Sequence, residues 1–108
     1  MHRRVIVTDD AREDMALLYD YIADNDSVVQ AERIMDRLLE IAESLVQNPE
    51  RGSHPRELLA FGLREYRQIV MKPWRIIYGV EPSRVVVYLI ANGRRDMRAL
   101  LARRLLGA

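Results

Sequence analysis

Sixteen of the 17 basic side chains in this 108-residue chain are arginines, and only Lys72 is a lysine. A guanidinium is a planar fork that grips phosphate or carboxylate through two parallel hydrogen bonds. Two arginines, Arg67 and Arg75, stand among apolar neighbours in β-like stretches. Five more, Arg94, Arg95, Arg98, Arg103 and Arg104, crowd the end of the chain. Such a set suits binding of an anionic partner. It does not suit proton transfer, because arginine stays protonated, although it can stabilise charge on a phosphoryl group.

Other chemistry finds little support in the residue types. The chain has no cysteine, which excludes disulfides, thiol nucleophiles and thiolate metal sites. His2 and His54 each stand without a second histidine at ligand spacing, so neither a metal nor another cofactor is expected. The carboxylates Asp9, Asp10, Glu13 and Asp14 crowd one helical turn, where the helix dipole and solvation account for them better than paired acid–base work. The glycines at 52, 62, 79, 93 and 107 are scattered singly, so there is no glycine-rich phosphate loop.

These residues need a frame, and the apolar pattern supplies one. The run Arg3-Arg4-Val5-Ile6-Val7-Thr8 reads as a short strand, since β-branched residues dominate it. Asp10 with Glu13 resembles a capping box, and Ala11, Met15, Leu18 and Ile22 then repeat at helical spacing. Asn25-Asp26 breaks the pattern. Ser27 with Gln30 opens a second helix carrying Ala31, Ile34, Leu38, Ile41 and Leu45, which Asn48-Pro49 ends. So short a break predicts an antiparallel helix hairpin.

Residues 49–56 read as a polar linker. Strands are expected over 63–71, 74–80 and 85–91, with a turn at Glu81-Pro82-Ser83-Arg84 between the last two. The third is too continuously apolar for an exposed edge and belongs at the centre of a sheet. Met97, Leu100, Leu101 and Leu105 mark a short terminal helix over 96–106. The expected fold is α+β: one domain over residues 1–108, a two-layer sandwich in which a helix hairpin covers a mostly antiparallel four-stranded sheet. Strand alternation places Arg75, Ile77 and Gly79 on one sheet face, and Trp74, Ile76 and Tyr78 on the other. The hairpin needs only one face, so the Arg75 face is expected to be open. No apolar run approaches the roughly 20 residues of a membrane span, nor does the start resemble a secretory signal. A cytoplasmic protein is therefore expected.

The formal net charge of +1 hides a division. Residues 1–50 carry 5 basic and 12 acidic side chains, net −7, whereas residues 51–108 carry 12 and 4, net +8. The helices form the acidic half and the sheet with its tail forms the basic half.

The stretch Gly62-Leu63-Arg64-Glu65-Tyr66-Arg67, then Trp74-Arg75-Ile76-Ile77-Tyr78, then Val85 to Ile90, then Gly93-Arg94-Arg95-Asp96 resembles the RelE/ParE toxin superfamily. The resemblance covers nearly the whole chain and favours the ParE-like branch. It implies the toxin of a type II, plasmid-stabilising kind of toxin–antitoxin module, neutralised by an antitoxin whose extended segment wraps it through Arg67, Arg75 and Arg95. It also implies one of two targets. RelE-like relatives cut mRNA on the ribosome, where Arg67, Lys72, Arg75 and Arg95 would hold the RNA. ParE-like relatives poison DNA gyrase, which Arg94, Arg95, Arg98, Arg103 and Arg104 would contact. The RNA-cutting members use a Tyr or His in the C-terminal segment. Here the position six residues beyond Arg95 is Leu101, and residues 91–108 contain neither type. Only Tyr66, Tyr78 or Tyr88 remain as replacements. That deficit favours gyrase, with a non-toxic relative that only binds antitoxin as the third reading.

Overall fold

The computed structural model describes residues 3–107; His2 lies outside them. Strand β1 (Arg4–Val7) leads into helices α1 (Asp9–Asn25) and α2 (Val28–Gln47). A short helix α3 (Arg56–Leu59) precedes strands β2 (Tyr66–Met71), β3 (Trp74–Val80) and β4 (Arg84–Asn92), and helix α4 (Met97–Leu106) closes the chain. The sheet order is β1-β4-β3-β2. β1 runs parallel to β4, and the other two pairings are antiparallel. The α+β sandwich and the central place of β4 match the sequence reading.

Helix starts follow side-chain caps. Ser27 Oγ accepts from the Gln30 amide at 3.0 Å, as its position before α2 predicts. The first helix, however, is capped by Thr8 rather than by Asp10. β1 ends at Val7, Thr8 stays extended, and its hydroxyl accepts from the Ala11 amide at 3.1 Å. Asp9 and Asp10 thereby fall inside the first turn, where they favour the dipole.

The main core lies between the α1–α2 hairpin and one sheet face. Ala11, Leu38, Ile41 and Leu45 pack there against Ile76, Tyr78, Val85, Val87 and Ile90. The opposite face is not open, which corrects the expectation. Leu58 of α3 and Met97, Leu100 and Leu101 of α4 close over Ile77, Leu89 and Ala91 in a second core. Burial of both faces explains why β4 is apolar at nearly every position. It also explains the leucines of the tail, which need apolar surface to cover.

Residues 49–55 are more than a linker. Ser53 pairs with Gln68 on the outer edge of β2, and the Tyr78 hydroxyl donates to the Pro49 carbonyl at 2.7 Å while accepting from the Gly52 amide at 3.0 Å. A Cβ on Gly52 would stand 2.5 Å from the Gln68 carbonyl and the Tyr78 hydroxyl, so only glycine fits.

Candidate functional site: two sets of arginines

The arginines divide into those that hold the fold and those that face solvent. Arg75 belongs to the first set. Its Nη1 and Nη2 donate to the two Glu57 oxygens at 2.8 and 2.9 Å, and its Nε donates to Gln68 Oε1 at 2.7 Å. The Arg75 side chain is only 12% exposed. Hydrogen bonding from Arg75 is the main reason the Glu57 carboxyl is held below its ordinary pKa, against the opposing effect of its burial. Gly93 makes room for this arrangement, since a Cβ there would stand 3.0 Å from Arg75 Cδ. Ser53, His54, Arg56, Glu57, Gln68, Val70 and Arg75 together line a polar concavity of about 370 Å³.

Arg67 lies on the other side of the sheet. It is paired in register with Tyr78, and directly opposed residues point to the same face. Its guanidinium donates to the Glu50 and Gly52 carbonyls at 3.2 and 2.8 Å, fastening the 49–55 segment. Arg104 is also internal. It forks onto Asp14 at 3.0 and 2.9 Å and reaches the Tyr88 carbonyl at 3.2 Å. Asp14 Oδ2 also accepts from the Ile90 amide at 3.0 Å. This carboxylate therefore ties α1 to β4 and α4, a role beyond the dipole and solvation that its position in α1 predicts.

Arg94, Arg95, Arg98 and Arg103 belong to the second set and are exposed. Among the described residues no ion pair holds them. The Arg98 guanidinium lies 5.8 Å from the centre of the Phe61 ring, a cation–π contact that fixes its direction. Lys72 is exposed at the β2–β3 turn. The structure thus brings Arg94, Arg95 and Arg98 together near the start of α4, but separates them in kind from Arg67, Arg75 and Arg104.

Tyr66, Tyr78 and Tyr88 are all shifted away from serving as a base near neutral pH. Tyr78 is fully buried, and burial is the main cause that pushes its hydroxyl above the ordinary phenol range. Tyr66 and Tyr88 meet edge to face at 5.5 Å, and burial likewise raises both. Tyr66 lies opposite Gly79, whereas Arg75 lies opposite Val70. That separation is about 13 Å of strand. Among the described residues no group of three His, Cys, Asp or Glu could hold a metal ion, and no helix is long and apolar enough to cross a membrane.

Sequence reasoning missed the partners of Arg75. Glu57 and Gln68 are unremarkable in the sequence, and His54 reads as solitary. In the fold His54 lines the Arg75 concavity, and its Nδ1 sits 3.0 Å from the Tyr66 carbonyl. A carbonyl only accepts, so Nδ1 carries the proton in that contact. The one available signal was the short run Ser53-His54-Pro55-Arg56-Glu57 just before Leu58.

A family model for the ParE toxin of type II toxin–antitoxin systems matches residues 5–97. The chain belongs to that toxin family. Three solved structures carry the same fold. The chromosomal ParDE system of P. aeruginosa aligns with TM-score 0.70 at 18% identity, covering 85% of this chain and 96% of that one. The RelBE2 toxin–antitoxin complex of Mycobacterium tuberculosis aligns with TM-score 0.62 at 21% identity, over 85% and 99%. A mutant E. coli RelE toxin in the free state aligns with TM-score 0.56 at 15% identity, over 93% of each chain. No curated protein sequence matches. ParE-family membership fits the sequence reading of the toxin class, and identities this low carry the shared fold alone.

Proposed function

We propose that this ParE-family chain is a growth-inhibiting toxin of the cytoplasm that acts by binding DNA gyrase and is neutralised by a cognate antitoxin. One observation carries the choice of target: Arg75, which an RNA-cutting reading needs for phosphate, is already gripped by Glu57 and Gln68. Arg67 fastens backbone on the other face of the sheet. Burial pushes Tyr66, Tyr78 and Tyr88 away from proton abstraction, and residues 91–108 have neither Tyr nor His. Among the exposed arginines without an ion pair in the described residues, Arg94, Arg95, Arg98 and Arg103 gather at the end of the chain, with Arg104 bracing the helix that carries two of them. Such a surface suits a macromolecular partner carrying negative charge. The ParDE and RelBE2 relatives, both described as toxin–antitoxin systems, support an antitoxin as the regulating partner.

The test is a supercoiling assay with purified gyrase. Inhibition, or accumulation of cleaved DNA, is expected, and it should weaken when Arg94, Arg95 and Arg98 are together changed to Glu. Unimpaired supercoiling at excess toxin would sink the proposal. A second reading, a ribosome-dependent mRNA endonuclease, has one observation in its favour: His54 lines the Arg75 concavity. Toeprinting on translating ribosomes separates the two, because codon-specific cuts that vanish with His54→Ala would support the enzyme.

A further inference from the structure

β1 is an edge strand, because the sheet order is β1-β4-β3-β2. The hydrogen bonds to β4 fix which of its backbone groups are used. The Arg4 amide donates to the Ser83 carbonyl at 3.3 Å, and the Thr8 amide donates to the Val87 carbonyl at 3.1 Å. In a parallel ladder alternate residues turn both N–H and C=O toward the same neighbour, so Arg4, Ile6 and Thr8 face β4. Val5 and Val7 turn theirs outward, where no strand lies among the described residues. These four groups are a ready template for another strand. The opposite edge, β2, is already bridged at Gln68 by Ser53.

The side chains leave the same edge unfinished. Val5, Ile6 and Val7 are each only partly buried, whereas their register partners Val85, Val86 and Val87 on β4 are buried. The charges around them are sorted by sign. Arg3-Arg4 precede the three apolar residues, and Asp9-Asp10 follow Thr8. Arg3 Nε donates to the Glu81 carbonyl at 3.1 Å, and its terminal nitrogens have no partner among the described residues. A short edge flanked by charge is the usual guard against chance pairing, but a guard needs no opposite signs at its two ends. Opposite signs make the segment complementary to its own reverse.

We infer that β1 pairs with β1 of a second copy of this chain, antiparallel about a twofold axis through Ile6. With β1 residues alone, one register satisfies all four outward groups of each copy. Val5 exchanges both bonds with Val7 of the second copy, and Val7 does so with its Val5. The two Ile6 side chains then meet on the axis, at a position where side chains approach most closely. The same register sets Arg3 opposite Asp9 and Arg4 opposite Thr8 of the second copy, twice over by symmetry. A slip of two residues would set Arg3 opposite Val7 and leave the charges unmatched. Backbone, apolar surface and charge thus select one occupant.

The experiment uses the purified full chain. Sedimentation equilibrium over a concentration series should show a reversible monomer–dimer equilibrium, a weak one because the contact is short. Arg3→Asp with Arg4→Asp should raise the dissociation constant at least tenfold, as should Asp9→Arg with Asp10→Arg. An equimolar mixture of the two variants should dimerise again, because each supplies the sign that the other lacks. Damage to the fold cannot mimic that rescue, and circular dichroism checks that each variant folds. The chain has no cysteine, so one introduced thiol reports the register. Ile6→Cys should give a disulfide-linked dimer under mild oxidation, and Arg4→Cys should not. A monomer at every concentration would overturn the inference, as would a dimer that the charge reversals leave intact or that Arg4→Cys links as readily as Ile6→Cys. Val5→Pro removes an outward N–H that the fold does not use. If the toxin alone stays monomeric and Val5→Pro abolishes binding of its purified antitoxin, the edge belongs to the antitoxin and the second copy is excluded.

Discussion

Arg75 shows how much its partners decide what a residue does. In the sequence it is a strand arginine on an apparently free face, and phosphate binding is the natural expectation. In the fold it has a bidentate carboxylate, Glu57, and a third acceptor, Gln68. A lysine could not reproduce that fork, so Arg75→Lys should lower stability much as Glu57→Gln does. The expected loss is about 1.5–3 kcal/mol for either change, the range for hydrogen bonds to charged groups, read from urea midpoints. The acid dependence follows from the depressed Glu57 pKa. A carboxyl bound more tightly as its anion stabilises the fold above its unfolded pKa and loses that contribution as pH falls through the lower folded value. The stability gap between wild type and Glu57→Gln should therefore be constant near neutrality and shrink below about pH 4.5. A gap that persists undiminished at strongly acid pH would mean that the ion pair is not its source.

At the scale of elements, the parts read correctly from sequence were those with a period. The hairpin showed its apolar face at helical spacing, and β4 showed an unbroken apolar run. What stayed hidden lacked a period or depended on a distant partner. A four-residue helix such as α3 is too short to display one, and Leu58 packs with residues some twenty to forty positions later. The covered second face was hidden for the same reason, although the α4 leucines were visible as an amphipathic pattern. Asp14 was legible only as a first-helix carboxylate, because Arg104 lies 90 residues away. That long-range tie gives α4 its seat. In a double-mutant cycle, Asp14→Ala and Arg104→Ala should couple by about 0.5–3 kcal/mol, each single change exceeding the effect of Arg103→Ala. Additive effects would mean that the apolar contacts alone seat the helix. The caps are more local. Thr8→Ala should cost about 1 kcal/mol in thermal or chemical unfolding, whereas Asp10→Ala should cost less, because Thr8 rather than Asp10 makes the capping bond.

For the whole molecule, the division into an acidic half and a basic half survives folding in an altered form. The basic half uses three of its four carboxylates internally: Glu57 on Arg75, Glu81 on Arg84, and Asp96 as the cap of α4. Arg104 reaches across to neutralise Asp14 in the acidic half. Among the described residues no ion pair holds Arg94, Arg95, Arg98 or Arg103, and these four gather cationic charge at the end of the chain. An electrostatic field of this kind acts mainly on encounter. Its contribution is read from binding kinetics with the purified antitoxin. The association rate should fall as salt rises from low to high ionic strength, since exposed charges more than about 10 Å apart are screened at 0.1 M. Changing Arg94, Arg95 and Arg103 together to Glu should slow association and flatten its salt dependence. Reversing Arg33 and Arg37 on α2 is the control, because these exposed arginines lie in the acidic half. If that control slows association as much as the triple change does, net charge rather than the cationic surface steers the encounter.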